Sequence, residues 1–403
     1  MKTEKIITIV ADSHLMADNI ARAIGATPAG EYHYAKEGYA VTWTNGSIVE
    51  ASYNPKQPFI LSDNMTPQQV YAHNFDFAVR DYDKVVGYDK KAEDLARLDA
   101  IKALFKNSSL VINATMPTPY CDLVFWNLYW YLAVPVKTCR AWLPVLTNRA
   151  IRGAIYNPRI DDERYKQYIS KVIYDKFLEE DEIWREAEAE EQAQQALKAA
   201  EGKEDGEEKP VIYNGQEVKL VDYPVLPSFL SLLVTASAEF GYNHDETADA
   251  VLRLYLKKLI SFPSDIQSGV PYSVWRNMKR NMRMLRYNSR WGEQAKALKK
   301  LSRRCVIKGV SDGVYETYGI VTTGLHPTDL TGKERTIYDH IVKQVIDAFT
   351  PFRAYQKLWI SLIIKSITLS KAILTMNMYI IAHQFIFKII CLDNIKLLTQ
   401  FMC

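Results

Sequence analysis

The sequence predicts an α/β fold: a largely parallel sheet with helices on both faces, followed by a mainly helical domain. Over residues 1–156, short apolar runs of strand length alternate with helical segments, and residues 223–351 contain further helical patterns. Alternating strands and helices favour a parallel sheet, because each crossover helix packs back onto the sheet. The chain has 403 residues, 48% of them hydrophobic, enough for two or three globular domains.

Local signals place the elements of residues 1–156. We predict strands at 5–11, 110–114 and 136–142, and helices at 17–24, 91–105 and 148–156. Gly25 closes the first helix, and Asn45-Gly46 predicts a hairpin between residues 39 and 51. A further helix, rich in aromatic residues, runs from Asp122 onward.

The turn at residues 115–119 is the centre of the predicted fold, because it joins the strand at 110–114 to the aromatic helix. In α/β sheets, functional groups gather at the ends of strands, where the chain turns into the following helix. Asp122 lies just after this turn, and Asp12 follows the first strand. These acids are the first candidates for a site.

Charge and cysteine content exclude several classes. The net charge of +3 is nearly neutral, so any nucleic-acid site must arise from local clustering. The five cysteines are far apart and form no CxxC pair, which argues against a disulfide framework or a zinc ribbon and fits a reducing cytosol. The first residues have too short an apolar run for a signal peptide. We therefore expect a cytoplasmic protein.

Residues 157–222 break the alternating pattern. The stretch 179–209 is rich in acids, with Ala and Gln between them. We favour a solvated helix that runs into a flexible linker, because so little apolar surface cannot offset the entropy of ordering. An acidic surface that mimics DNA and covers a basic groove stays open as the alternative.

A basic segment at 275–308 is the clearest sign of DNA binding, because it holds twelve bases and one acid, Glu293. Spacings of three and four gather many bases on one helical face, where they could neutralise phosphates. Trp275, Tyr287 and Trp291 could stack on unpaired bases. The other interpretation is a solvated basic helix whose aromatic residues belong to the core. The candidate DNA-binding residues are Arg276, Lys279, Arg280, Arg283, Arg286, Arg290 and Trp291.

Residues 352–403 differ in composition from the rest, since they are apolar and Asp393 is the one acid after Arg353. A membrane span needs about 20 apolar residues, and three lysines interrupt this stretch. A membrane anchor, an amphipathic helix and the translation of a shifted or unrelated reading frame all stay open. We favour the last.

Several ordered motifs resemble those of the type IA DNA topoisomerases, topoisomerase III in particular. They are Ile9-Val-Ala-Asp12-Ser-His-Leu-Met-Ala17, Gly38-Tyr-Ala-Val-Thr-Trp43-Thr-Asn-Gly46, Pro135-Val-Lys137 with Ala150-Ile-Arg152, Leu254-Tyr255 to Ile260-Ser-Phe262-Pro-Ser264, and Ile320-Val-Thr-Thr-Gly324. The resemblance implies a Toprim-like domain at 1–156 and a counterpart of the tyrosine-bearing domain at 223–351. The family's gate arch has no counterpart in 157–222.

The resemblance also implies an altered site. The magnesium-binding acids of the family are replaced by Met116 and Thr118, and its last acid persists as Asp122. Asp12 stands for another family acid, so Asp12 and Asp122 are the candidate ligands of a weak Mg²⁺ site. The slot of the nucleophilic Tyr holds Phe262, and that of the phosphate-steadying Arg holds Ser264.

The resulting prediction is a shortened, degenerate relative of the type IA topoisomerases. It would bind single-stranded or junction DNA without cutting it, would use no small-molecule cofactor, and would not enter a membrane. Covalent strand cleavage needs a nucleophilic oxygen, which a phenyl ring lacks. Two alternatives stay open: an active topoisomerase that uses an unrecognised nucleophile, such as Tyr272, and a non-functional product of a decayed gene.

Overall fold

The computed structural model describes residues 5–53, 60, 65–82, 90–199, 224–263, 268–307, 315 and 318–351. Residues 1–298 and 303–348 group into one compact unit, which holds the elements that matter for the site. Ser264 and the predicted tail at 352–403 lie outside the described residues. None of the described helices has a stretch both long and apolar enough to cross a membrane.

The described part of the chain contains eight strands and eleven helices. The strands are β1 (Ile6–Ala11), β2 (Thr27–Gly30), β3 (His33–Lys36), β4 (Tyr39–Trp43), β5 (Val49–Tyr53), β6 (Phe75–Val79), β7 (Ser108–Asn113) and β8 (Lys137–Arg140). The helices are α1 (His14–Ile24), α2 (Pro67–Asn74), α3 (Lys91–Lys106), α4 (Pro119–Leu132), α5 (Asn148–Tyr156), α6 (Glu163–Ala199), α7 (Phe229–Phe240), α8 (His244–Leu256), α9 (Tyr272–Leu285), α10 (Gly292–Ala297) and α11 (Gly332–Phe349).

Six strands form the main sheet, in the order β2-β3-β4-β1-β7-β8. Strands β4, β1, β7 and β8 are parallel to one another, and β2 and β3 add an antiparallel edge beside β4. Ile9, Val10 and Ala11 are consecutive and all fully buried, so both faces of the central strand β1 are covered. The α/β class predicted from the sequence is confirmed.

The helices that flank the sheet begin and end where local signals place them. The Ser13 hydroxyl caps α1 by accepting a hydrogen bond from Met16 N, and Gly25 ends that helix in the left-handed conformation at φ 80°. Thr147 caps α5 in the same way through Ala150 N. Each cap satisfies an amide that the first turn of a helix leaves without an internal partner.

The hairpin predicted around Asn45-Gly46 is wrong. Strand β4 pairs with β3 and β1 in the main sheet, whereas β5 pairs with β6 in a separate two-stranded sheet. Asn45 and Gly46 do adopt positive φ, but they carry the chain past the end of β1, where Gly46 N donates to Asp12 O. The actual tight turn lies between β3 and β4, where Gly38 takes a φ of 75°.

The first half of α6 belongs to the core and precedes the acidic stretch 179–209, for which the composition predicts a solvated helix. Tyr165, Ile169, Val172 and Ile173 are buried in the main hydrophobic cluster, where α6 packs against α2, α4 and β5. Their spacing of four, three and one places them on one face of the helix. The helix continues to Ala199, and residues 200–223 lie outside the described part.

The helical segment after residue 224 is attached to the sheet by hydrogen bonds from both sides. The hydroxyl of the fully buried Tyr255 in α8 donates to Leu143 O at 2.7 Å, and Phe262 N donates to Pro144 O at 2.7 Å. From the other direction, the Asn19 amide in α1 donates to Leu256 O at 2.8 Å. These bonds hold the end of α8 beside the loop that follows β8.

Candidate functional site

The carboxyl ends of β1, β7 and β8 lie side by side at one edge of the sheet. The parallel register pairs Val10 with Asn113 and Asn113 with Arg140, so Asp12 and the turn after β7 follow at the same edge. Thr118 accepts a hydrogen bond from Cys121 N and caps α4, and Pro119 occupies its first turn. The strand-turn-helix arrangement expected around residues 115–119 is therefore present.

A buried ion pair occupies this edge. Arg140 Nε lies 2.9 Å from Asp122 Oδ1, and both side chains are fully shielded from solvent. The guanidinium also donates to four carbonyl oxygens, those of Asn113, Thr115, Met116 and Ala141, at 2.8 to 3.1 Å. Arg140 thus connects the ends of β7 and β8 to the turn between β7 and α4.

Three further donors surround the Asp122 carboxylate. Asn113 Nδ2 and the Tyr165 hydroxyl donate to Oδ1 at 2.9 and 3.0 Å, and the Tyr168 hydroxyl donates to Oδ2 at 3.3 Å. Burial raises the pKa of Asp122, while Arg140 and the two tyrosine hydroxyls act in the opposite direction. Burial beside this carboxylate also raises the pKa of Tyr165 far above its usual value, which keeps that phenol a hydrogen-bond donor.

This arrangement does not fit magnesium. Mg²⁺ requires carboxylate oxygens that are free to coordinate it and keeps several waters, but both Asp122 oxygens already accept protein donors and face a cation. Asp12 is buried and accepts from Met116 N at 3.1 Å, and its burial raises its pKa. Within the described residues no group of three or more His, Cys, Asp or Glu side chains is gathered for a metal.

Phe262, which the sequence resemblance assigns to the nucleophile slot, lies next to this edge, where its N–H donates to Pro144 O. Phe262 is half-buried, and its ring packs edge-on against Tyr255 with centroids 5.2 Å apart. Tyr255 is an unsuitable substitute nucleophile, because its hydroxyl is buried and bound to Leu143 O. Tyr272 is 42% exposed, stacks on Trp275 at 5.5 Å, and has the Arg303 guanidinium 5.8 Å from its ring centroid.

The predicted basic face is present on α9. Arg276, Lys279, Arg280 and Arg283 are all exposed, and helical geometry places them within an arc of about 100°. The opposite side is buried through Trp275, Met278, Met282 and Leu285. Among the described residues, none of the four bases has an ion-pair partner. We call these four residues the α9 basic face.

Packing fixes the orientation of α9. The Asn281 amide donates to Thr322 O at 2.8 Å. Gly324, at φ 80°, lies so close that a Cβ there would meet Asn281 O at 2.8 Å. Only a residue without a side chain permits this approach.

The remaining candidate residues are placed differently. Arg290 forms an ion pair with Asp339, and the Trp291 indole donates to Asp339 Oδ1 at 2.8 Å, so both contribute to the contact with α11. Trp275 is buried at 5% exposure, beneath Lys279 and Arg303. Arg286 is half-buried. Of the three aromatic residues considered for base stacking, Tyr287 is open to solvent, at 79% exposure.

Sequence reasoning missed Arg140, Tyr165 and Tyr168. Arg140 is the last residue of β8, and its sequence neighbourhood, which includes Lys137, gives no sign of a buried acidic partner. Tyr165 and Tyr168 precede a stripe of apolar residues at helical spacing, and that stripe was the available signal that α6 packs on the sheet.

No family model matches the chain, and no curated protein matches it either. Among solved structures, full-length topoisomerase I from Thermotoga maritima aligns with a TM-score of 0.46 and 16% sequence identity. The alignment covers 85% of this chain and 60% of that protein, so the chain spans less than two thirds of its length. A likeness of this degree does not carry the activity of that protein over to this chain.

Proposed function

We propose that this protein binds single-stranded or junction DNA through the α9 basic face and does not cut it. The observation that carries the proposal is the set of four exposed bases, Arg276, Lys279, Arg280 and Arg283, on one side of a helix whose other side is anchored in the core. Cations with no acidic partner in the described structure are available to neutralise phosphates and release counterions.

The absence of cutting is the second part of the proposal. The resemblance to the type IA topoisomerases assigns the nucleophile slot to Phe262, which has no oxygen to attack phosphorus. The carboxylate that would assist a metal, Asp122, is engaged by Arg140 and by two tyrosine hydroxyls. Both elements of the family chemistry are therefore replaced.

The salt dependence of binding tests the role of α9. Each phosphate neutralised on a single strand contributes about −0.7 to the slope of log K against log salt. A variant with Arg276, Lys279, Arg280 and Arg283 all changed to Ala should therefore show a slope less steep by about 3. The measurement is fluorescence anisotropy of a labelled oligonucleotide between 50 and 250 mM salt.

A matched control removes four exposed bases elsewhere: Lys106, Arg149, Lys171 and Lys343, each changed to Ala. Both variants lower the formal net charge from +3 to −1, since each loses four positive charges. The control should keep the slope of the unmodified protein. If both variants flatten the slope equally, overall charge rather than the α9 basic face governs binding, and the proposal is wrong.

A further inference from the structure

A pocket on the outer side of β8 combines aromatic rings, an unpartnered donor and an exposed cation. Its walls come from Trp126, Tyr129 and Trp130 of α4, from residues 136–139 at the start of β8, from the beginning of α2, and from the loop into α6 with the first turn of that helix. Its volume is about 300 Å³, at the lower end of the range for small-molecule sites. We call it the β8 pocket.

The polar groups of this pocket are unevenly satisfied. The Trp126 indole donates to the Tyr165 hydroxyl, and the Tyr129 hydroxyl donates to Val136 O at 3.0 Å. The Trp130 indole nitrogen, in contrast, is buried and finds no partner in the described structure. A buried donor without a partner costs about 1–3 kcal/mol, so a ligand that accepts this hydrogen bond would recover that cost.

The edge of the sheet supplies further polar groups. Strand β8 is the last in the sheet order, and no described strand pairs with its outer side. Backbone N–H and C=O groups on that side therefore have no strand partner within the described part of the chain. Thr138 lies on this strand within the pocket wall.

Charge at the rim favours an anionic group. Arg159 and Lys166 both line the pocket but face acids, Asp162 at 3.6 Å and Glu163 at 2.6 Å respectively. Lys137 is exposed and has no ion-pair partner among the described residues. It is the cation best placed to bind a phosphate at the mouth of the pocket.

The ring geometry fits a flat heteroaromatic group. Tyr129 and Trp130 have centroids 5.2 Å apart, and their planes are nearly perpendicular, at 82°. A flat ring stacked on one of them therefore meets the other edge-on, so stacking and a hydrogen bond from the indole are compatible. Stacking on aromatic side chains is the common way in which proteins bind unpaired bases.

We propose that the β8 pocket binds one unpaired nucleobase of a single strand. The base packs against Tyr129 and accepts a hydrogen bond from the Trp130 indole, and the adjoining phosphate contacts Lys137. This inference rests on the proposed single-strand binding and extends it, because it adds a second contact point remote in sequence from α9.

Binding of thymidine 5′-monophosphate to the full chain tests the pocket alone, by isothermal titration at low salt. Trp130→Phe keeps a ring but removes the donor, and Lys137→Ala removes the cation; each should weaken binding by about fivefold or more, the effect of losing about 1 kcal/mol. Tyr131→Phe is the matched control, because Tyr131 is the next residue of α4 and does not line the pocket. It should leave the affinity unchanged. Equal affinities for all four proteins would overturn the proposal.

Photo-crosslinking of an eight-nucleotide thymidine strand carrying one 5-iodouracil tests the same pocket in a strand. The crosslink should map to residues 126–138 and persist, though weaker, in the variant that lacks the α9 basic face. Crosslinks confined to other segments would refute the pocket even if the strand binds tightly. If the pocket crosslinks while the α9 variant keeps its salt slope, the pocket stands and the proposed role of α9 fails, so the two results are separable.

Discussion

Replacing Arg140 with Met should destabilise the protein strongly, because the change removes one partner of a buried ion pair. The Asp122 carboxylate would lose its cation, and four carbonyl oxygens would each lose a donor, although those of Asn113 and Met116 keep a backbone N–H. Breaking such a pair from one side typically costs about 3–5 kcal/mol. That is a large fraction of the 5–15 kcal/mol that stabilises an ordinary domain.

The loss should depend on pH, and the direction follows from Asp122. Burial raises the pKa of Asp122, and Arg140 is the largest influence that lowers it. Without Arg140, the Asp122 carboxyl of the folded variant therefore keeps its proton to higher pH than in the unmodified protein. A folded-state pKa above the unfolded value gives stability that is present at low pH and is lost as pH rises through the folded pKa. The destabilisation should therefore be larger at pH 8 than at pH 5.

Urea denaturation followed by tryptophan fluorescence measures both the loss of stability and its dependence on pH. Arg149→Met serves as the control, since Arg149 is exposed on α5 and its replacement should change stability by less than about 0.5 kcal/mol. Asp122→Asn combined with Arg140→Met should lose the pH dependence. A cost below about 1 kcal/mol for Arg140→Met, or the same cost at pH 5 and pH 8, would contradict the role assigned to this ion pair.

Four further outcomes are expected. Adding 10 mM Mg²⁺ or EDTA should leave the urea midpoint unchanged. A magnesium site with a Kd of about 0.1 mM would instead raise the free energy of unfolding by about 2.7 kcal/mol in 10 mM Mg²⁺. With Mg²⁺ and supercoiled DNA, the unmodified protein should give no relaxation and no covalent adduct on denaturing gels; an adduct mapped to Tyr272 would establish the alternative enzyme. Phe262→Tyr should stay inactive as well, because groups that act together do not restore a rate singly, and any relaxation would contradict the account of Asp122. Tyr255→Phe should lower stability by about 1–3 kcal/mol in the same urea assay, since Leu143 O would lose its buried donor.

The sequence predicted the elements whose signals are local. Gly25 ends α1 through its backbone conformation, and α5 begins at Asn148 after the Thr147 cap; both signals depend on a few neighbouring residues, and both limits are found where expected. The basic face of α9 follows from spacing alone, and it is exposed as expected. These features require no knowledge of distant parts of the chain.

The features that sequence reasoning missed depend on tertiary register. Asn45-Gly46 has the composition of a hairpin turn, but β5 finds its partner in β6, more than twenty residues later. Arg140 meets Asp122 only because β7 and β8 pair in parallel with Asn113 opposite Arg140. The placement of Trp291 against Asp339 likewise joins segments 48 residues apart. Such contacts are set by the fold as a whole.

The Asp122–Arg140 pair also constrains the mutations that this protein can accept. A change at either position alone leaves a buried charge without its counterpart, while a joint change to apolar residues of similar volume can be nearly neutral. The two positions should therefore vary together or not at all. Any route toward a metal-binding carboxylate at this edge that changes one residue at a time passes through a protein of low stability. Selection on folding therefore keeps the arginine even where no selection on catalysis acts.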